Sequence, residues 1–143
     1  MKKNEKGFTL IELLAVIVIL AIIALIATPI VMNVINKSRQ KAAEDSAYGV
    51  VEAVKAKHAE LMLNTSSDVS ESITVTWSGG TGTITGSTDK VSVTGTKPTG
   101  GTVTINSTGD VTVDKLLING YSCSTKANSD IIECKNSKDN PTS

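Results

Sequence analysis

Hydrophobic positions along this chain fall into three regimes. From Gly7 to Ile35, GFTLIELLAVIVILAIIALIATPIVMNVI, nearly every residue is apolar, and the only ionisable one is Glu12. Between Leu13 and Met32, only Thr28 and Pro29 interrupt the aliphatic run. At about 1.5 Å rise per residue, roughly twenty such residues cross the roughly 30 Å hydrocarbon core of a bilayer. The pattern therefore predicts a membrane-inserted helix over 8–35. An acid at the front of that helix is out of place, since Asp or a basic residue near the centre of a spanning helix costs about 2.5–3.5 kcal/mol. Glu12 thus requires a partner.

Beyond residue 35 the period changes. Ala43, Ala47, Val50, Val51, Val54, His58 and Leu61 recur at steps of three and four, while Lys41, Asp45, Glu52, Lys55, Lys57 and Glu60 occupy the opposite side. This predicts an amphipathic helix over 36–63. Lys41–Asp45 and Glu52–Lys55 are spaced to pair along its solvent face. Gly49 weakens the helix by about 0.8–1.0 kcal/mol relative to alanine and offers a point of bending. His58, the only histidine, falls on the apolar stripe and reads as a packed residue. Asn64 to Ser72 is a polar break. Period-two alternation follows, with Ile73, Val75 and Trp77 set against Thr74 and Thr76. Further short strands are predicted at Thr83–Thr85, Val91–Val93, Thr102–Ile105, Asp110–Val113 and Leu116–Ile118, punctuated by glycine-rich turns. Short connections favour an antiparallel meander with one apolar face. The expected fold class is α+β: a long N-terminal helix, half transmembrane and half amphipathic, packed on a small antiparallel β-sheet head spanning 64–143. The polar end, Asn136 to Ser143, is expected to be disordered.

The residues before the apolar run sharpen the picture. Lys2, Lys3 and Lys6 form a short basic leader ending in Gly7, and Phe8-Thr9-Leu10-Ile11-Glu12-Leu13 follows at once. This N-terminus resembles that of a type IV prepilin, the class III signal read by prepilin peptidase. The resemblance covers residues 1 to about 35; beyond that it is architectural only. It implies a leader of residues 1–7, cleavage between Gly7 and Phe8, and N-methylation of the new Phe8 amine. It also implies that Glu12 directs assembly by meeting the Phe8 amine of a neighbouring subunit. The implied partners are other copies of the chain in a helical polymer, prepilin peptidase, and the pilus assembly machinery of the membrane. The precursor is then membrane-inserted, with the leader cytoplasmic, the head external and the assembled pilus extracellular. Pro29 is part of the same pattern and removes a backbone donor, so a kink or loosening is expected near Leu25–Pro29. One departure is Ala21, where many relatives have glycine.

Composition sets the remaining bounds. The chain holds 14 basic and 14 acidic residues. Three of those bases and one acid lie in the leader, so the remainder keeps eleven against thirteen and is slightly acidic. With Phe8, Tyr48, Trp77 and Tyr121 as the only aromatics, no nucleic-acid site is evident. No nucleophile–base set, phosphate loop or metal cluster is apparent, so neither catalysis nor a cofactor is expected. Cys123 and Cys134 are too few for a zinc site unaided. In an exported chain they suit a disulfide, and by resemblance they bound the C-terminal loop found in many pilins. The reading that follows is a structural pilus subunit, with a pseudopilin of a type II secretion or DNA-uptake system as the alternative.

Overall fold

A computed structural model describes residues 6–64 and 72–139. One helix, α1, runs unbroken from Leu10 to Asn64. Seven strands follow: β1 Ile73–Ser78, β2 Thr81–Ile84, β3 Lys90–Val91, β4 Gly100–Ile105, β5 Val111–Ile118, β6 Tyr121–Thr125 and β7 Ile132–Asn136. The chain divides into two compact units, Met1–Ser38 and Arg39–Ser143.

In the first unit the apolar side chains of α1 are all open. Leu10 is 88% exposed and Leu25 80%, and the span is long and apolar enough to cross a membrane. Such a surface is far larger than a soluble monomer tolerates, so lipid or other apolar helices must cover it. The helix continues past Pro29, which has no N–H to give Leu25 O. Just before it, Thr28 Oγ1 donates to Ala24 O at 2.6 Å, the back-bond of a polar residue inside an apolar helix.

In the second unit the periodic stripe behaves as its spacing requires. Ala43, Ala47, Val50, Val51, Val54 and His58 are buried, and Leu61 is half-buried against the same cluster. Of the two expected helix pairs, Lys55–Glu52 forms at 3.1 Å, whereas Lys41 and Asp45 do not pair. A Lys57–Glu60 pair stands at 3.0 Å instead. Gly49 is exposed, and a methyl group there would meet nothing within 4 Å. Gly49→Ala should therefore raise head stability by about 0.5–1 kcal/mol, read as a higher denaturation midpoint.

All seven strands form one antiparallel sheet in the order β3-β2-β1-β4-β5-β6-β7. This is not the single meander expected from loop lengths. β4 pairs with β1 and not with β3, so two meanders meet at β1–β4. The reason lies in residues 92–99. β3 is only two residues long, and Pro98, which cannot donate to a ladder, is fully buried. Gly79 N and Gly80 N donate to Thr99 O and Pro98 O at 3.2 and 3.0 Å, and Thr99 N donates to Leu117 O at 2.9 Å, carrying the chain past the end of β1.

The inward residues of this sheet join the helical stripe in one core: Ile73, Val75, Trp77, Ile84, Val91, Val103, Ile105, Val113, Leu116, Ile118, Cys123, Ile132 and Cys134. The result is a helix-on-sheet pair of layers around one apolar interior. Trp77 lies cross-strand from Gly82, where a Cβ would come within 2.9 Å of the indole, so the ring occupies the glycine's missing side-chain space. His58 Nε2 and Trp77 Nε1 are buried without a hydrogen-bond partner among the described residues.

Three sequence expectations are corrected here. The strands expected at Asp110–Val113 and Leu116–Ile118 are one strand, β5, because the chain passes through Lys115 in the left-handed region (φ 47°) opposite Gly101 (φ 101°). The register shifts between Gly100 and Thr102, marking a bulge. A Cβ on Gly101 would lie 2.4 Å from Lys115 O and 2.5 Å from Leu116 Cα, both backbone atoms that cannot step aside. Gly101→Ala should cost about 2–4 kcal/mol from overlap and backbone strain together, measured by denaturant unfolding. Second, two strands that the alternation pattern did not single out, β6 and β7, carry Cys123 and Cys134, so the stretch bounded by the cysteines is the end of a hairpin. Third, the C-terminal segment is ordered further than its polarity suggested. Asn136 closes β7, and Ser137–Asp139 form a 3₁₀ turn in which Ser137 N and Oγ donate to Gly120 O at 2.9 and 2.8 Å. Residues 140–143, and 65–71 of the expected polar break, lie outside the described residues.

The β4–β5 turn is built from its own side chains. Asn106 Oδ1 accepts from Thr108 N at 3.1 Å and Asp110 N at 2.8 Å. Hydrogen bonds from Thr108 and Asn106 to the Asp110 carboxylate hold its pKa below the ordinary carboxylate value.

Candidate functional site at the start of the helix

Lys6 to Thr9 are exposed and outside any regular element, and α1 begins at Leu10. What starts the helix there is a reciprocal pair of hydrogen bonds. Thr9 Oγ1 accepts from Glu12 N at 3.3 Å, and Glu12 Oε2 accepts from Thr9 N at 2.8 Å. Thr9 O accepts the first helical bond from Leu13 N at 3.3 Å. This is a capping box: the first-turn N–H groups have no helical acceptor, and Thr9 and Glu12 satisfy two of them. The Glu12 carboxylate also lies at the positive end of the helix dipole.

The remaining predicted site residues fall as follows. Gly7 lies outside any regular element, before the helix, with nothing within 4 Å of a would-be Cβ, and Phe8 is 85% exposed. Gly7, Phe8 and Glu12 are thus gathered at one helix end. Pro29 belongs to the apolar span. Cys123 and Cys134 form a disulfide with a Cα–Cα separation of 4.0 Å, and both residues are fully buried. They face each other across β6 and β7 at a position where Cys134 N points away from β6, so this is a close, non-hydrogen-bonded pair.

Comparison with known proteins bears on the helix start. Residues 2–28 match the family model of the prokaryotic N-terminal methylation motif. That motif is the class III signal of type IV pilins. It ends within the apolar half of α1 and leaves the sheet outside. No curated protein and no solved structure matches the chain. The methylation motif indicates a type IV pilin-like or pseudopilin precursor, processed by a peptidase and anchored in the membrane by its apolar helix.

Sequence reasoning passed over three side chains with clear work. Thr9 was visible in principle, because T-x-x-E before an apolar run is a helix-start signature. Tyr48 and Glu44 had no such signal. Tyr48 Oη accepts from Ile132 N at 3.0 Å, and Glu44 Oε1 accepts from Cys134 N at 3.5 Å. Both acceptors on α1 therefore cover outward-pointing donors of β7, the edge strand that would otherwise invite another chain.

Proposed function

We propose that this chain is a structural subunit of a type IV pilus, processed at its N-terminus and polymerised through α1 into an extracellular filament. The observation that carries the reading is the methylation motif over residues 2–28 heading a helix whose first half leaves its large apolar side chains exposed among the described residues. Prepilin peptidase cleaves after Gly7, and the amine of Phe8 is methylated. The subunit waits in the bilayer, with α1 as its anchor. On assembly the helix passes from lipid into a core of like helices, an exchange between two apolar surroundings that need not cost much solvation energy. Glu12 supplies direction, because a carboxylate in that setting is stabilised by an ammonium nearby. The new amine on Phe8 has an ordinary pKa of about 7.7–8.0 and is largely protonated at neutral pH.

The pseudopilin reading shares every N-terminal residue with this one. The buried disulfide between β6 and β7 suits either reading, since both put the head in an oxidising compartment outside the cytoplasm. Shearing fibres from the cell surface and sequencing their N-terminus tests the proposal. Long fibres beginning at methylated Phe8 are expected. Processed chain that stays with the envelope and never enters long surface fibres favours the pseudopilin, and uncleaved chain held in the membrane overturns both.

A further inference from the structure

The helix start has a second consequence, for the peptide bond just outside it. In the numbering of a helix terminus Thr9 is the N-cap, Leu10 the first helical residue and Glu12 the third. Gly7 and Phe8 then lie beyond the cap, and their shared bond is one residue outside the helix. Phe8 and Leu13 occupy the two positions of a hydrophobic staple, but at 85% exposure Phe8 leaves that staple open.

A peptidase needs the scissile backbone extended. In a helix the carbonyl and N–H of that bond are committed to neighbouring turns and shielded by them. An apolar helix near a membrane also tends to grow at its ends, because every unpaired N–H that finds an acceptor gains stability there. The cap reduces that incentive, since the N–H groups of Thr9 and Glu12 already have acceptors at 2.8 and 3.3 Å.

We propose that Thr9 is a positioning residue for processing: by capping α1 with Glu12 it holds the Gly7–Phe8 bond extended, exposed and outside the helix. The proposal rests on the reading of that bond as the cleavage point. Two observations independent of the cap support it, namely the methylation motif spanning the bond and the open, non-helical geometry of residues 6–9.

The test uses the full-length precursor in detergent with purified prepilin peptidase, the yield of chains beginning at Phe8 being followed by mass spectrometry. Thr9→Val keeps the shape of the side chain and removes its acceptor; Thr9→Ser and Thr9→Asn keep a capping acceptor in different shapes. Thr9→Val is expected to be cleaved about fivefold more slowly, the factor that corresponds to losing a typical cap. The serine and asparagine variants should recover most of the rate. In parallel, the Cα chemical shifts of Gly7 and Phe8 should move toward helical values in Thr9→Val alone. Wild-type precursor left uncut after Gly7 would overturn the underlying reading of the cleavage point. Wild type cut there with Thr9→Val equally fast, or with all three variants equally slow, would overturn only the role given to the cap.

Discussion

Replacing Glu12 with glutamine is expected to reduce surface fibres to below about a hundredth of wild type, with the processed chain accumulating in the membrane. The choice of glutamine separates the cap made by Glu12 from the assembly role proposed for it. Its oxygen can still accept from Thr9 N, and glutamine serves in a capping box as glutamate does, so α1 should still begin at Leu10. What disappears is the negative charge. Breaking a buried ion pair by removing one partner costs about 3–5 kcal/mol, which is more than a hundredfold in the equilibrium for adding a subunit. Quantifying sheared fibres against the membrane pool, with N-terminal sequencing of both, checks the outcome. Wild-type fibre yield from Glu12→Gln would mean that register comes from helix packing alone. The capping box adds a constraint, since Glu12 is already occupied within its own chain. Its carboxylate sits one residue from Phe8 N, so cleavage creates the ammonium beside it, and a neighbouring subunit has to compete with that local arrangement.

Removing the disulfide by Cys123→Ala with Cys134→Ala should lower head stability by about 3 kcal/mol, with Tm falling on the order of 15 °C. The bridge closes a loop of sequence separation 11, for which the lost freedom of the unfolded chain corresponds to about that figure. Its position adds to the effect. Both cysteines are fully buried in the core beside Ala43 and Ala47, so their removal also leaves a void against α1. The hairpin they hold includes β7, whose donors at Ile132 and Cys134 reach Tyr48 and Glu44 only while the strand stays in place. Thermal unfolding of the full chain in detergent, oxidised against the double variant, measures this. A change below about 1 kcal/mol would show that the sheet and the helical lid hold the hairpin without the bridge.

Much of the helix was legible because its causes are local. The apolar run and the stripe from Ala43 to Leu61 repeat over one or two turns, and the capping pair, though passed over, lies only three residues apart. Each of these is set by side chains close in sequence, and the six most buried helical residues are those the spacing predicts. The sheet was legible only where inward residues are large. β1 shows itself through Ile73, Val75 and Trp77, whereas Tyr121–Thr125 and Ile132–Asn136 carry few inward apolar groups, chiefly Cys123, Ile132 and Cys134. Cysteines count as core only once bridged and covered, and nothing local signals that.

Residue order alone was enough to show that the first half of α1 needs an apolar surround, which stripe of its second half is buried, and that a glycine–phenylalanine junction precedes the apolar run. Short-range hydrogen bonds and periodicity suffice for all of these. Packing of the whole chain was needed to fix that β4 returns to β1, that Lys115 and Gly101 meet in a bulge, that Cys123 and Cys134 face each other across two strands, and that Tyr48 and Glu44 cover the β7 edge. Each of those joins residues tens of positions apart or depends on such a joining, and the energy that selects it exists only after the sheet and the helix have packed together.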